Sequence, residues 1–145
     1  MYITDIIGLI GYLGLTSGLI LCAVLVLLAL WLHFRPNKQL ENLAKWLTHV
    51  QTTLLALAVL ALGILLQMGA YEYEVVFNAI EESMLPLERL GGLWAGQASS
   101  LLFWSFIMSS AISLSLGIAR RTGKESYIPT ILLVLEATLL FFLIP

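Results

Sequence analysis

Four long apolar stretches separated by short polar ones set the pattern of this chain: Ile6 to Leu32, Leu47 to Met68, Ser99 to Ile118 and Ile128 to Ile144. A helix that crosses the hydrocarbon of a bilayer needs about 20 apolar residues, because water is absent there and the helix must satisfy its own backbone. Each stretch meets or approaches that length. The expectation is an all-α integral membrane protein with four transmembrane helices in one domain, 1–145. The first stretch exceeds one crossing, so its helix is expected to tilt or project. Pro36 ends it. Leu40, Leu43, Ala44 and Leu47 then recur at helical spacing, which predicts a short interfacial extension of the second helix over Leu40 to Trp46. Trp31 and Trp46 fit an aromatic belt at headgroup level.

Composition agrees. The chain is 60% hydrophobic and only 11% charged, whereas soluble domains carry roughly 25% charged residues. The N-terminus lacks a basic region and the first apolar run is too long for a signal sequence, so no cleavable signal peptide is expected. The net charge of -2 matters less than its placement. Arg35, Lys38 and Lys45 lie between stretches one and two, and Arg120, Arg121 and Lys124 between three and four. Only Arg89 of the seven basic residues lies between two and three. Basic loops stay in the cytoplasm, so both termini and the 71–93 segment are expected outside, with the chain in the inner (plasma) membrane and its functional face outward.

The outer segment, Tyr71 to Leu93, differs in kind from the other connections. Glu72, Glu74, Glu81, Glu82 and Glu88 stand against Arg89, with Val75, Val76, Ile80, Leu85, Leu87 and Leu90 interspersed. That alternation predicts an ordered cap on the membrane, punctuated by Pro86 and Gly91-Gly92.

Polar and small residues inside the apolar runs are the candidates for chemistry or for packing. Gly8, Gly11, Gly14 and Gly18 fall within a sector of about 120° at 100° per residue, a face for close helix approach. Ser105, Ser109 and Ser113 repeat every four residues, flanked by Ser99 and Ser110, and read first as a second packing face, second as a polar pathway. Glu136 lies about 12 Å along its helix from Ile128, where a charge costs about 2.5–3.5 kcal/mol. It is either a functional carboxylate or a protonated one hydrogen-bonded between helices, with serine or glutamine as partner. Cys22 is a lone thiol in an apolar run; it is expected to pack as a small hydrophobe, with no disulfide and no metal.

The polar segment re-enters the apolar pattern through Leu93-Trp94-Ala95-Gly96-Gln97-Ala98-Ser99-Ser100-Leu101-Leu102-Phe103-Trp104. Two tryptophans ten residues apart enclose a small-residue turn. They read either as interfacial anchors or as a surface for a flat apolar group. This stretch resembles the Trp-Gly-Gly-x-Glu-Gly-Ser-Leu-Leu-x-Trp pattern of the CcmF-type cytochrome c biogenesis proteins, the haem-handling membrane proteins that attach haem to apocytochrome c. Trp94, Gly96, Ser100, Leu101, Leu102 and Trp104 match; Ala95, Ala98 and Ser99 stand where the family has glycine, glutamate and glycine. Upstream, Tyr73 to Leu90 with Ser83, Leu85 and Pro86 is similar to the family's Tyr-x-x-x-x-Ser-x-x-x-Leu-Pro outer segment.

The resemblance implies a membrane scaffold for a haem lyase, with Trp94, Trp104, Gly96, Gln97 and Ser100 near the haem or its docking surface. It covers the family's N-terminal quarter only. The family's Trp-Trp-Asp haem surface and its histidine ligands lie beyond it, so this chain is not a complete lyase. The implied partners are the remaining haem-lyase chain or subunits, apocytochrome c and haem-delivery proteins, with no nucleic acid. Haem would be handled by the complex and not bound by this chain alone. Cys-x-x-Cys-His is absent, and His33 and His49, near the basic loops, read as interfacial residues before haem ligands. The alternative is a small subunit of a respiratory or ion-translocating complex, with Glu136 and the Ser105, Ser109 and Ser113 face as its polar path. A small transporter ranks third, since no internal repeat is evident.

Overall fold

The computed structural model describes residues 3–143. It is helical throughout, with no strand among the described residues. The elements in order are α1 (Ile3–Phe34), α2 (Lys38–Met68), three short helices α3 (Glu74–Phe77), α4 (Pro86–Leu90) and α5 (Gly92–Ala95), then α6 (Gln97–Arg121), a 3₁₀ turn (Glu125–Tyr127) and α7 (Ile128–Leu143). Four segments are long and apolar enough to cross a membrane: α1, α2, α6, and α7 together with its 3₁₀ turn. The chain is therefore a multi-pass membrane protein. The fourth helix was expected to reach Ile144, which lies outside the described residues.

The first three long helices run longer than their apolar stretches. The 32 residues of α1 extend about 48 Å at 1.5 Å each, well beyond a hydrocarbon thickness of about 30 Å. The second helix continues unbroken from Lys38, so the Leu40 to Trp46 extension is part of α2. Its start is fixed by Asn37, whose side-chain oxygen accepts from the Gln39 and Leu40 amides at 2.9 and 3.3 Å, an N-cap that satisfies two otherwise orphaned donors. Its end is fixed by Gly69 at φ 64°, a left-handed cap that a side chain would strain.

Packing follows a ring. α1 lies against α2 and α7, and α6 lies against the same two. The glycine face of α1 makes the tightest seam. A Cβ on Gly14 would stand 2.8 Å from the Leu54 carbonyl oxygen, and one on Gly18 would stand 3.0 Å from Leu55. Cys22, Leu25, Ala29 and Leu32 of α1 continue into a buried core with Leu55, Ile112, Leu116, Leu132 and Leu139. A second core, Leu62, Leu65, Leu66, Ala70, Val76 and Ile80, binds the end of α2 to the cap.

The two basic connections meet at one end of the bundle. Lys38 Nζ lies 2.9 Å from Glu125 Oε2, and Lys45 Nζ lies 2.7 Å from Glu41 Oε1. Arg89 belongs to the cap at the opposite end of α2, beside Gln67. The clustering of basic residues in the sequence is thus a clustering in space.

Candidate functional site

Two places collect the residues singled out by sequence: the cap with its tryptophan turn, and the centre of the bundle.

The cap is held by backbone carbonyls. Arg89 donates from Nε to the Met84 carbonyl at 3.2 Å, from Nη1 to Gln67 at 3.2 Å and from Nη2 to Glu82 at 3.4 Å. One guanidinium therefore ties the cap's irregular backbone to the end of α2. Gln67 Nε2 returns a bond to the Pro86 carbonyl at 2.7 Å. The Glu88 carboxylate accepts from the Leu85 amide at 2.8 Å and secures the first turn of α4. Tyr73 donates its hydroxyl to the Thr4 carbonyl at 3.1 Å, pinning α1 to the cap. Desolvation, together with the charges of Asp5 and Glu72, holds that phenol above its ordinary pKa, so it remains a neutral donor.

The turn itself is built from small residues in close contact. Gly92 is seated against Ile80 and Ala79, where a Cβ would stand 3.2–3.3 Å from each. Gly96 is extended at φ -78°, ψ 144° and starts α6. Ser99 is buried and donates to the Gly92 carbonyl at 2.5 Å, closing α5 onto α6. Trp94 on α5 and Trp104 on α6 are 61% and 53% exposed. Their rings are thus free of the core and face the surroundings. Gly96 and Gln97 border a cavity of about 780 Å³ whose opposite wall is Glu74, Val75 and Asn78 of α3. Ser100 lies outside that lining and bonds back to the Gln97 carbonyl at 3.0 Å. Ala98 borders both this cavity and an apolar cleft of about 660 Å³ between α1, α2 and α6.

At the bundle centre Glu136 is fully buried on α7. Its partner is the thiol of Cys22 on α1, 3.4 Å from Oε2 and 3.3 Å from the Glu136 carbonyl. Gln51 of α2 lies beside both. Its amide lies within hydrogen-bonding reach of the Cys22 thiol and the Glu136 carboxyl, so the three side chains form one buried polar cluster. The lone cysteine is therefore buried as expected, but it also carries a polar contact that periodicity could not reveal. Gln51 was visible as a polar residue in mid-run; Cys22 became a partner only through the α1–α7 seam.

The serine face sits elsewhere. Thr52 of α2 joins Ser109 and Ser113 of α6, hydroxyl to hydroxyl, at 2.7 and 2.8 Å. Ser105 and Ser110 donate to the Leu101 and Phe106 carbonyls of their own helix. The Thr52, Ser109 and Ser113 hydroxyls knit α2 to α6, and the serine face does not extend to Glu136. His33 and His49 are both exposed and border different cavities at the basic end. No cluster of three metal-ligating side chains occurs among the described residues.

Compared with family models, curated proteins and solved structures, the chain matches none.

Proposed function

We propose that this chain is the membrane scaffold of a haem lyase, serving cytochrome c maturation from the N-terminal part of that machinery. The observation that carries the reading is the cap. An ordered, clamped outer segment delivers the Trp94 to Trp104 turn with both tryptophans outward and a cavity behind Gly96 and Gln97. A scaffold needs a rigid face with aromatic anchors, since these dominate docking surfaces. The basic end faces the cytoplasm in this reading and the cap faces outward, where apocytochrome c and the haem-bearing remainder of the lyase dock. The chain packs against that remainder and shapes the surface; haem is held by the partner's residues. The lyase sits in the plasma membrane.

One observation favours a second reading. Glu136 is a fully buried acid in the bundle interior, and intramembrane acids mark ion and proton paths. A small subunit of an ion-translocating complex would use it.

Affinity purification in mild detergent tests the proposal. The tagged chain is expected to retain a haem-containing partner chain, with a Soret band that leaves with the partner on dissociation. Recovery of a respiratory or ion-pumping complex instead defeats the haem reading. So does a sharp Soret band in the isolated chain that disappears on replacing His33 or His49.

A further inference from the structure

The basic end of the bundle holds a feature that neither reading uses. Between α2 and α6 an open groove of about 680 Å³ is walled by Lys45, Trp46, His49, Leu116, Gly117 and Arg120, with Lys38 and Glu125 at its rim. Residues 38, 42, 45 and 49 follow one another at helical spacing along α2, and 116, 117 and 120 answer them on α6. The groove is open beside Gly117, where a Cβ would meet nothing within 4 Å.

Its charges do not cancel. Lys38 is matched by Glu125 at 2.9 Å and Lys45 by Glu41 at 2.7 Å. Arg120 makes no ion pair within 4.0 Å among the described residues, although Glu125 lies in its field; Lys38, Lys45 and Arg120 thus face Glu41 and Glu125, and one positive charge is in surplus. Below it the groove opens over Gly117, and Trp46, 61% exposed, stands at the boundary where indole rings settle in bilayers. A cation above, an amphipathic ring at the boundary and an open step below match the order of parts in a phospholipid whose headgroup is anionic.

We propose that this groove is a binding site for one anionic phospholipid. Arg120 receives the phosphodiester, and an acyl chain lies along Trp46 and over Gly117 between the helices. The ligand is the lipid, not free phosphate, because phosphate alone would leave the Trp46 ring and the open step at Gly117 uncovered. The site seals the α2–α6 seam directly above the Thr52, Ser109 and Ser113 hydroxyls. It rests on the membrane character of the chain and not on the haem reading.

The test uses the purified chain in an uncharged mild detergent, titrated separately with phosphatidylglycerol, phosphatidylcholine and inorganic phosphate. Native mass spectrometry counts retained lipid, and thermal unfolding reports stabilisation. One phosphatidylglycerol is expected to be retained with a raised unfolding midpoint, and the other two additions should leave the midpoint unchanged. Arg120→Gln should weaken phosphatidylglycerol binding about five-fold, the loss of one near-surface cation. Gly117→Leu fills open space, so it should fold normally and exclude the acyl chain; Gly63→Leu, also into open space on α2, should bind as the native chain does. Equal stabilisation by phosphatidylcholine or by phosphate overturns the proposal. So does unchanged phosphatidylglycerol binding in both groove variants. Should a variant fail to fold, the contrast between phosphatidylglycerol and phosphatidylcholine on the native chain still decides.

Discussion

The cap and the bundle centre treat polar atoms in opposite ways. In the cap, an irregular chain is made rigid because its donors meet carbonyls: Arg89 reaches Met84, Gln67 and Glu82, Gln67 reaches Pro86, and Ser99 reaches Gly92. At the centre, regular helices need no such help. Yet Glu136, Gln51 and Cys22 are buried there side by side, with one another as polar partners. Bonds that hold an irregular backbone are costly to remove; a side-chain cluster between regular helices tolerates a near-isosteric replacement that keeps its bonds. The cap is thus built to hold a shape.

Stability measurements in detergent can break this contrast. The largest effect is expected from Arg89→Ala. It removes three charge-assisted bonds from a half-buried side chain, and each such bond contributes about 1.5–3 kcal/mol before non-additivity. A net loss of about 3 kcal/mol should undock the cap and open residues 71–93 to limited proteolysis. Retained protease resistance would show that the hydrophobic seat of Val76 and Ile80 holds the cap unaided. Thr52→Val comes next. It keeps shape and deprives Ser109 and Ser113 of their shared partner; interhelical hydrogen bonds in membranes average about 0.6 kcal/mol, so a loss of about 1 kcal/mol is expected by unfolding titration. Glu136→Gln should change least, within about 0.5 kcal/mol, because Gln can accept the Cys22 thiol nearly isosterically. A large destabilisation there would mean that the carboxyl is a structural partner after all.

Much of this arrangement was legible in the residues. The apolar runs located the four long helices, and Gly8, Gly11, Gly14 and Gly18 announced a tight seam because glycine at that spacing leaves backbone exposed to a neighbour. The alternation of acidic and apolar residues over 71–93 foretold an ordered segment. Helix ends were less legible: α2 begins at Lys38 because Asn37 caps it, and polar residues inside a capped first turn look like loop when apolarity alone is counted. α6 likewise takes in Gln97 and Arg121 beyond its apolar run. The pairing of Cys22 with Glu136 was hidden, since it depends on which faces of α1 and α7 meet across more than a hundred residues of chain. Thr52 was hidden for the same reason. Whether the two tryptophans would be buried or outward also depended on the path of the turn through Gly96.

The claim that the outer turn, and not the polar centre, carries the function is tested most directly by comparing two variants in one assay. Holocytochrome c formation should be measured in cells carrying Trp94→Leu with Trp104→Leu, and in cells carrying Glu136→Gln, with each chain's membrane level checked. Leucine keeps the span apolar but removes the flat faces and indole donors. The account predicts impaired holocytochrome c in the tryptophan double variant and near-normal levels in Glu136→Gln. Normal holocytochrome c in the double variant, with ion movement lost in Glu136→Gln, would contradict it and transfer the function to the bundle centre.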